Sequence, residues 1–152
     1  MDKEQRVLKT PIFQDRPRYT DEVSTVASPL RVYLAHNFKA ASFLKDQVVP
    51  ALRERNIIVC STWIYQEEAN GNEQYWAIRC LEEVCQCDVF LIFAEQVGTT
   101  PGRGKYVEFG YALARNKPVI VIEDKIDCIF YHYPQIMKVA TLKDALDILQ
   151  LR

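Results

Sequence analysis

Runs of consecutive apolar residues alternate along this chain with stretches whose apolar positions recur at helical spacing. The runs are Val32-Tyr33-Leu34-Ala35, Ile57-Ile58-Val59-Cys60, Val89-Phe90-Leu91-Ile92-Phe93-Ala94 and Val119-Ile120-Val121-Ile122, and a short apolar piece follows around Ile136–Ala140. None alternates apolar with polar, as strands covered on both faces require. Between them the pattern predicts a helix over Ala40–Arg55 with Leu44, Val48 and Leu52 on one stripe, kinked or broken at Pro50. A second helix is predicted over Glu73–Gln86 with Ala77, Cys80, Leu81 and Val84 on one face, and a third over Gly104–Asn116. The last, Leu142–Leu151, buries Leu142, Ala145, Leu146 and Leu149. Strands alternating with helices imply an α/β domain: a five-stranded parallel sheet with helices on both faces, in flavodoxin-like (Rossmann-like) order.

The first 30 residues break this pattern. Pro11, Pro17 and Pro29 stand among charged and hydroxyl residues, which reads as an extended or disordered arm ahead of a single domain over residues 31–152. With 152 residues and 49% of them hydrophobic, one domain has enough material for a core. A formal net charge of −1 provides no field for nucleic acid or a membrane surface. No run approaches the about 18 apolar residues of a membrane span. The start, Met1-Asp2-Lys3-Glu4-Gln5-Arg6, is charged and lacks an apolar stretch behind it, so no secretory leader is expected. Five cysteines at irregular spacing then read as reduced thiols in a cytoplasm. Cys85-Gln86-Cys87, with only two histidines in the chain, is a poor metal motif; no metal and no cofactor are expected.

Candidate chemistry gathers after the third apolar run. In Gly102-Arg103-Gly104-Lys105-Tyr106-Val107-Glu108-Phe109-Gly110-Tyr111-Ala112 a glycine-rich loop opens a helix and places Glu108 in its first turns. In open α/β sheets ligands bind where such loops lie, at the carboxyl ends of the strands. A carboxylate there can be a nucleophile, or simply a residue favoured by the helix dipole. Glu95 ends the third run, and two carboxylates on adjacent segments suit glycosidic cleavage; a solvated loop glutamate is the plainer alternative. Backbone amides at the start of the third helix, around Gly102 and Gly104, can hold an anion or sugar hydroxyls. Tyr33, His36, Asn37 and Phe38 follow or end the first strand and line the same crevice, with His36 a candidate proton carrier. Trp63, after the second strand, can stack on a planar base or pack in the core.

With these residues in view, the chain resembles the nucleoside 2-deoxyribosyltransferase family and its relatives, the nucleotide N-glycosidases, from Arg31 to about Leu149. Gly104 through Ala112 is the most specific match. Val32-Tyr33-Leu34-Ala35, Ser61-Thr62-Trp63, the segment from Leu81 to Asp88, and Ile129-Phe130-Tyr131-His132-Tyr133-Pro134 add to it. The resemblance implies that Glu108 attacks C1′ of a nucleoside or nucleotide, expels the base and forms a glycosyl ester, which another base or water resolves. It also implies that Tyr33 positions the sugar or Glu108, that Glu95 and Asp88 lie near the substrate, and that the protein is a homodimer or larger homo-oligomer. Two positions depart from the pattern. Cys80 and Gly102 stand where the family's transferases carry aspartates that contact the base or shuttle its proton, and the first loop lacks the glycines of the monophosphate hydrolases. Hydrolysis, an altered base preference, a nucleotide-binding module without catalysis, and a TIR-like NAD-cleaving domain therefore stay open.

Overall fold

The computed structural model describes residues 27–66, 72–95, 100–122 and 128–152. Five parallel strands form one sheet in the order β2-β1-β3-β4-β5: β1 (Arg31–Ala35), β2 (Ile58–Val59), β3 (Val89–Phe93), β4 (Val119–Ile122) and β5 (Ile136–Val139). This is the flavodoxin-like order that the apolar runs imply. Residues Val32 to Ala35 and the whole of β3 are buried, as central strands covered on both faces must be. Of the predicted arm, residues 1–26 lie outside the described residues, and residues 27–30 lead irregularly into β1.

The first helical segment begins as a 3-10 turn (Phe38–Ala40) and runs as α1 (Ala41–Phe43), a π-helical stretch (Leu44–Val48) and α2 (Val49–Arg53). The kink or break expected at Pro50 is resolved differently. Pro50 has no N–H to donate, and the helix widens by one residue just before it: the Val49 amide reaches back five residues to the Leu44 carbonyl. Leu44, Val48 and Leu52 are fully buried, as their spacing predicts. The helix stops at Asn56, whose φ of 55° turns the chain left-handed while Ile57 N donates to Leu52 O at 3.1 Å. Asn116 (φ 54°) ends a later helix the same way, with Lys117 N donating to Ala112 O at 2.9 Å.

The remaining helices are α3 (Glu73–Gln86), α4 (Arg103–Ala114) and α5 (Leu142–Gln150). The α3 and α4 helices pack on each other, and both contact β1. Successive right-handed crossovers put them on the face opposite α1 and α2. The buried face of α3 is rotated from the sequence expectation. Ala77 is exposed, and Glu83 is buried beside Val84 because its carboxylate turns inward to Thr62.

The edge strand β2 is only two residues long, and side chains continue its work. Ser61 Oγ accepts from Leu34 N at 3.0 Å, and Trp63 Nε1 donates to Leu34 O at 2.9 Å. Both backbone groups of Leu34 are thereby paired without a strand beside them.

Candidate active site

A cleft of about 260 Å³ opens at the carboxyl ends of β1 and β3. His36, Asn37 and Phe38 line it from the turn after β1, Trp63 and Gln66 from the segment after β2, and Cys80 from α3. Gly102, Arg103, Gly104, Lys105 and Glu108 close it from the start of α4. Seven of the residues singled out in the sequence meet here: His36, Asn37, Phe38, Trp63, Gly102, Gly104 and Glu108.

Glu108 is the sixth residue of α4, beyond the first turn where the helix dipole acts strongly. Burial pushes its carboxyl up to about 7; Tyr33 and Cys80 favour its charged form, while Glu83 opposes it. The Tyr33 ring stacks on Phe90 at 5.5 Å, its cross-strand partner. Its hydroxyl is fully buried and makes no well-aligned hydrogen bond, yet it lies close enough to Glu108 and Cys80 to be perturbed by both. Burial first, then those two neighbours, hold the phenol firmly neutral.

Glu95 departs from its expected part. It is 3% exposed, does not line the cleft, and is committed to two donors. Its Oε1 accepts from Gly102 N at 2.7 Å and pairs with Lys105 Nζ at 3.0 Å. Burial would raise its pKa, but the Gly102 amide and Lys105 outweigh that and hold it below the usual carboxylate range. Neither Glu95 nor Glu108 is among the charges that perturb the other. Lys105 is buried to its tip and also donates to Phe93 O at 2.7 Å. The pair thus ties the end of β3 to the start of α4. Lys105 is a residue that sequence reasoning missed, although a lysine in the first turn of a helix, against the dipole, is a signal that something anionic must hold it.

His36 stacks on Phe93 at 5.0 Å between centroids and meets Phe43 edge-on at 6.4 Å. Burial, reinforced by Lys105, pushes its imidazole down to about 4 against the opposing pull of Glu95. Its Nδ1 accepts from Asn37 N at 2.7 Å, which leaves the ring proton on Nε2. Burial thus favours its neutral form with a donor at Nε2, which does not favour the candidate role of proton carrier. Asn37 Nδ2 donates to Thr100 O at 2.7 Å and so joins the two loops that flank the cleft.

Trp63 is 7% exposed and its indole N–H is engaged, so it forms wall, whereas Phe38, 6.3 Å away and 39% exposed, presents an open ring. Gly102 has an ordinary φ of −75°; what requires glycine is close approach, since an added Cβ would lie 3.1 Å from Asn37 Cα. At Gly104 nothing lies within 4 Å of that position, and the mouth of the cleft is open. No side chain caps α4 and no acid occupies its first turn.

Asp88 is far from this constellation in the fold. It precedes β3, at the amino ends of the strands, where it accepts from Arg31 N at 2.8 Å and pairs with the Arg31 guanidinium at 3.4 Å. A residue before a parallel strand cannot reach the crevice after it. It closes β1 onto β3. Glu83, also missed, accepts from Thr62 N at 3.0 Å, from Thr62 Oγ1 at 2.5 Å and from Arg79 Nε at 2.7 Å, and so holds the segment that carries Trp63.

Among the described residues no group of three or more His, Cys, Asp or Glu side chains could hold a metal ion, and no helix is long and apolar enough to cross a membrane.

No family model matches the sequence, and no curated protein matches it. Solved structures do. The CMP N-glycosidase BcmB of Clostridium botulinum superposes with a TM-score of 0.57 at 19% identity, over 80% of this chain and 99% of that one. A 2-deoxyribosyltransferase from Bacillus psychrosaccharolyticus gives 0.58 at 18%, over 77% and 90% of the two chains. BlsM gives 0.56 at 16%, over 82% and 90%. The resemblance carried by the Glu108 motif is thus matched by a likeness of fold: this chain folds as the CMP N-glycosidase and the 2-deoxyribosyltransferase do.

Proposed function

We propose that the protein cleaves the N-glycosidic bond of a nucleoside or nucleoside monophosphate through a covalent glycosyl ester on Glu108. The observation that carries this reading is a half-buried carboxylate with a raised pKa, facing a cleft at the carboxyl ends of the strands. In its ionised form a Glu108 oxygen attacks C1′. The C1′–N bond breaks with its electron pair passing to the base nitrogen. Water or a second base then displaces the carboxylate, with net retention at C1′. Phe38 offers a face for the base, and His36 donates from Nε2 to an acceptor on the substrate. Tyr33, close beside Glu108, favours its ionised form. Glu95 is assigned a positioning part: ionised and doubly bonded, it fixes the start of α4 rather than exchanging a proton with the leaving base.

The likeness to a CMP N-glycosidase and a 2-deoxyribosyltransferase supports a nucleoside or nucleotide as ligand. The commitment of Glu95 to Gly102 and Lys105 favours a second reading, a nucleotide-binding module without catalysis, because it withdraws the expected second carboxylate. Chromatography after incubation with a panel of nucleosides and their monophosphates separates the two. Base release that disappears in Glu108→Gln is the expected result. Tight binding of one ligand with no base release would favour the binding module. We also propose a homo-oligomer: Ile129 and Phe130 are 78% and 59% exposed beside the buried Tyr131, an apolar pair suited to an interface.

A further inference from the structure

One buried carboxylate near the cleft has no part in the reaction as described. Glu83, on α3, is 3% exposed, and its partner Arg79 keeps 43% of its side chain in solvent. Such a pair is costly to bury, and apolar residues of similar size often replace one without loss of stability. What Glu83 holds is specific. After β2 the chain enters a 3-10 turn, Thr62–Tyr65, whose first N–H groups need acceptors. Ser61, at the cap position, makes no capping bond; its hydroxyl accepts from Leu34 N instead. Glu83 supplies the cap from across the fold. One carboxylate oxygen accepts from Thr62 N at 3.0 Å, and the other from Thr62 Oγ1 and Arg79 Nε. The turn so capped carries Trp63, whose indole N–H is closed on Leu34 O. Trp63 stands behind Phe38, with ring centroids 6.3 Å apart and planes tilted by 38°. Phe38 lies on a three-residue 3-10 turn with no buried residue, and Trp63 is the aromatic ring it meets among the described residues.

We infer that Glu83 is a positioning residue for base recognition: through Thr62 and Trp63 it fixes the Phe38 face against which a planar base stacks. The part played by the base rests on the reading of Phe38 given above; the buttress from Glu83 to Trp63 does not. Two anchors hold the Trp63 segment, the indole bond to β1 and the carboxylate from α3. Loss of the second leaves Thr62 N without its acceptor and lets the turn pivot about the first. Glutamine restores part of the link, since its carbonyl oxygen accepts from Thr62 N while its amide donates to Thr62 Oγ1; alanine restores none.

Two measurements test the inference. The first needs no substrate. The chain has two tryptophans, so a Trp76→Phe background leaves Trp63 as its only indole. In that background Glu83→Ala should shift Trp63 emission to longer wavelength and increase its quenching by acrylamide, and Glu83→Gln should reverse most of both. Thr62→Val, which removes only the hydroxyl contact, should give a smaller shift of the same sign and stands in if the alanine variant does not fold. Unchanged emission and quenching in the folded variants, with melting curves run beside them, would overturn the buttress. The second measurement is base release from the nucleoside or monophosphate that the unmutated protein turns over. KM should rise about fivefold in Glu83→Ala, the lower end of what base–aromatic stacking contributes, while kcat holds. Glutamine should bring KM most of the way back, and the rise should vanish in a Phe38→Ala background, since neighbours acting through one contact are not additive. A rise of equal size with and without Phe38 would overturn the route through that ring. If no base is released, the glycosidic reading fails, and the dissociation constant of the tightest-binding monophosphate, measured by calorimetry, carries the same comparison. Binding of no nucleoside or monophosphate at all would overturn the recognition role, with the fluorescence still deciding the buttress.

Discussion

Replacing Glu108 by glutamine should change stability in a pH-dependent way, and the structure sets its size. Burial raises the Glu108 carboxyl from its ordinary 4.5 to about 7. The folded protein thus binds this proton more tightly than the unfolded chain. The stability linked to it is fully present below pH 4.5, declines as pH rises and is lost by the time pH has passed about 7. Each pK unit corresponds to about 1.4 kcal/mol, so the ionised carboxylate destabilises the fold by on the order of 3 kcal/mol above pH 8, an upper bound for a half-buried group. Glutamine keeps the shape and does not titrate. The two proteins should therefore be about equally stable near pH 4.5, with the variant ahead by ~2 kcal/mol at pH 6 and ~3 kcal/mol at pH 8. Urea unfolding at several pH values measures this directly, because other titrating groups are common to both proteins and cancel in the difference. A gain of ~3 kcal/mol would raise the melting temperature by roughly 6–12 °C in a domain of this size. A difference that stays constant from pH 5 to 8 would refute the burial argument. If Glu108 is the nucleophile, kcat/KM should also lose activity below about pH 7, since that profile reports the free enzyme.

Three other outcomes follow from the same geometry. Glu95→Gln leaves the Lys105 ammonium buried without its counter-ion and should destabilise the fold by about 3–5 kcal/mol, read by thermal melting; an unchanged melting temperature would mean the pair is not structural. Gly102→Ala brings a methyl within 3.1 Å of Asn37 Cα and should spread the two loops of the cleft, weakening ligand binding measured by calorimetry more than it lowers the melting temperature. Sedimentation at micromolar concentration should show a dimer or larger, and a monomer would count against an interface through Ile129 and Phe130.

What the sequence disclosed and what it concealed divide along a physical line. Local, periodic information survives in one dimension: continuous apolar runs marked β1 to β4, and Leu44, Val48 and Leu52 marked the face of a helix. The Glu108 motif was legible because a glycine loop, a carboxylate and a helix occur within a dozen residues. Long-range polar pairing left little trace. Glu95 and Lys105 are ten positions apart in the chain, and Glu95 read as a site carboxylate because nothing local announced its lysine. Asp88 read as a ligand-binding residue because its partner, Arg31, lies 57 positions earlier. Trp63 read equally as a stacking surface or a packing residue because sequence does not reveal that its N–H closes on the Leu34 carbonyl. The π-helical widening before Pro50 was equally hidden: a proline predicts that a helix must yield, not how.

The short β2 strand bears on how copies of this chain can meet. A long bare sheet margin invites a second chain to add its own strand. Here that margin is interrupted: beyond Val59 the Leu34 backbone groups are covered by the Ser61 hydroxyl and the Trp63 indole, and only two residues of β2 remain as an outer rim. Intermolecular ladder growth past that rim would first have to dislodge a buried tryptophan. At this edge, association of copies is therefore directed away from sheet extension and towards side-chain surfaces, where contact can be made and broken without disturbing the strand that carries Tyr33.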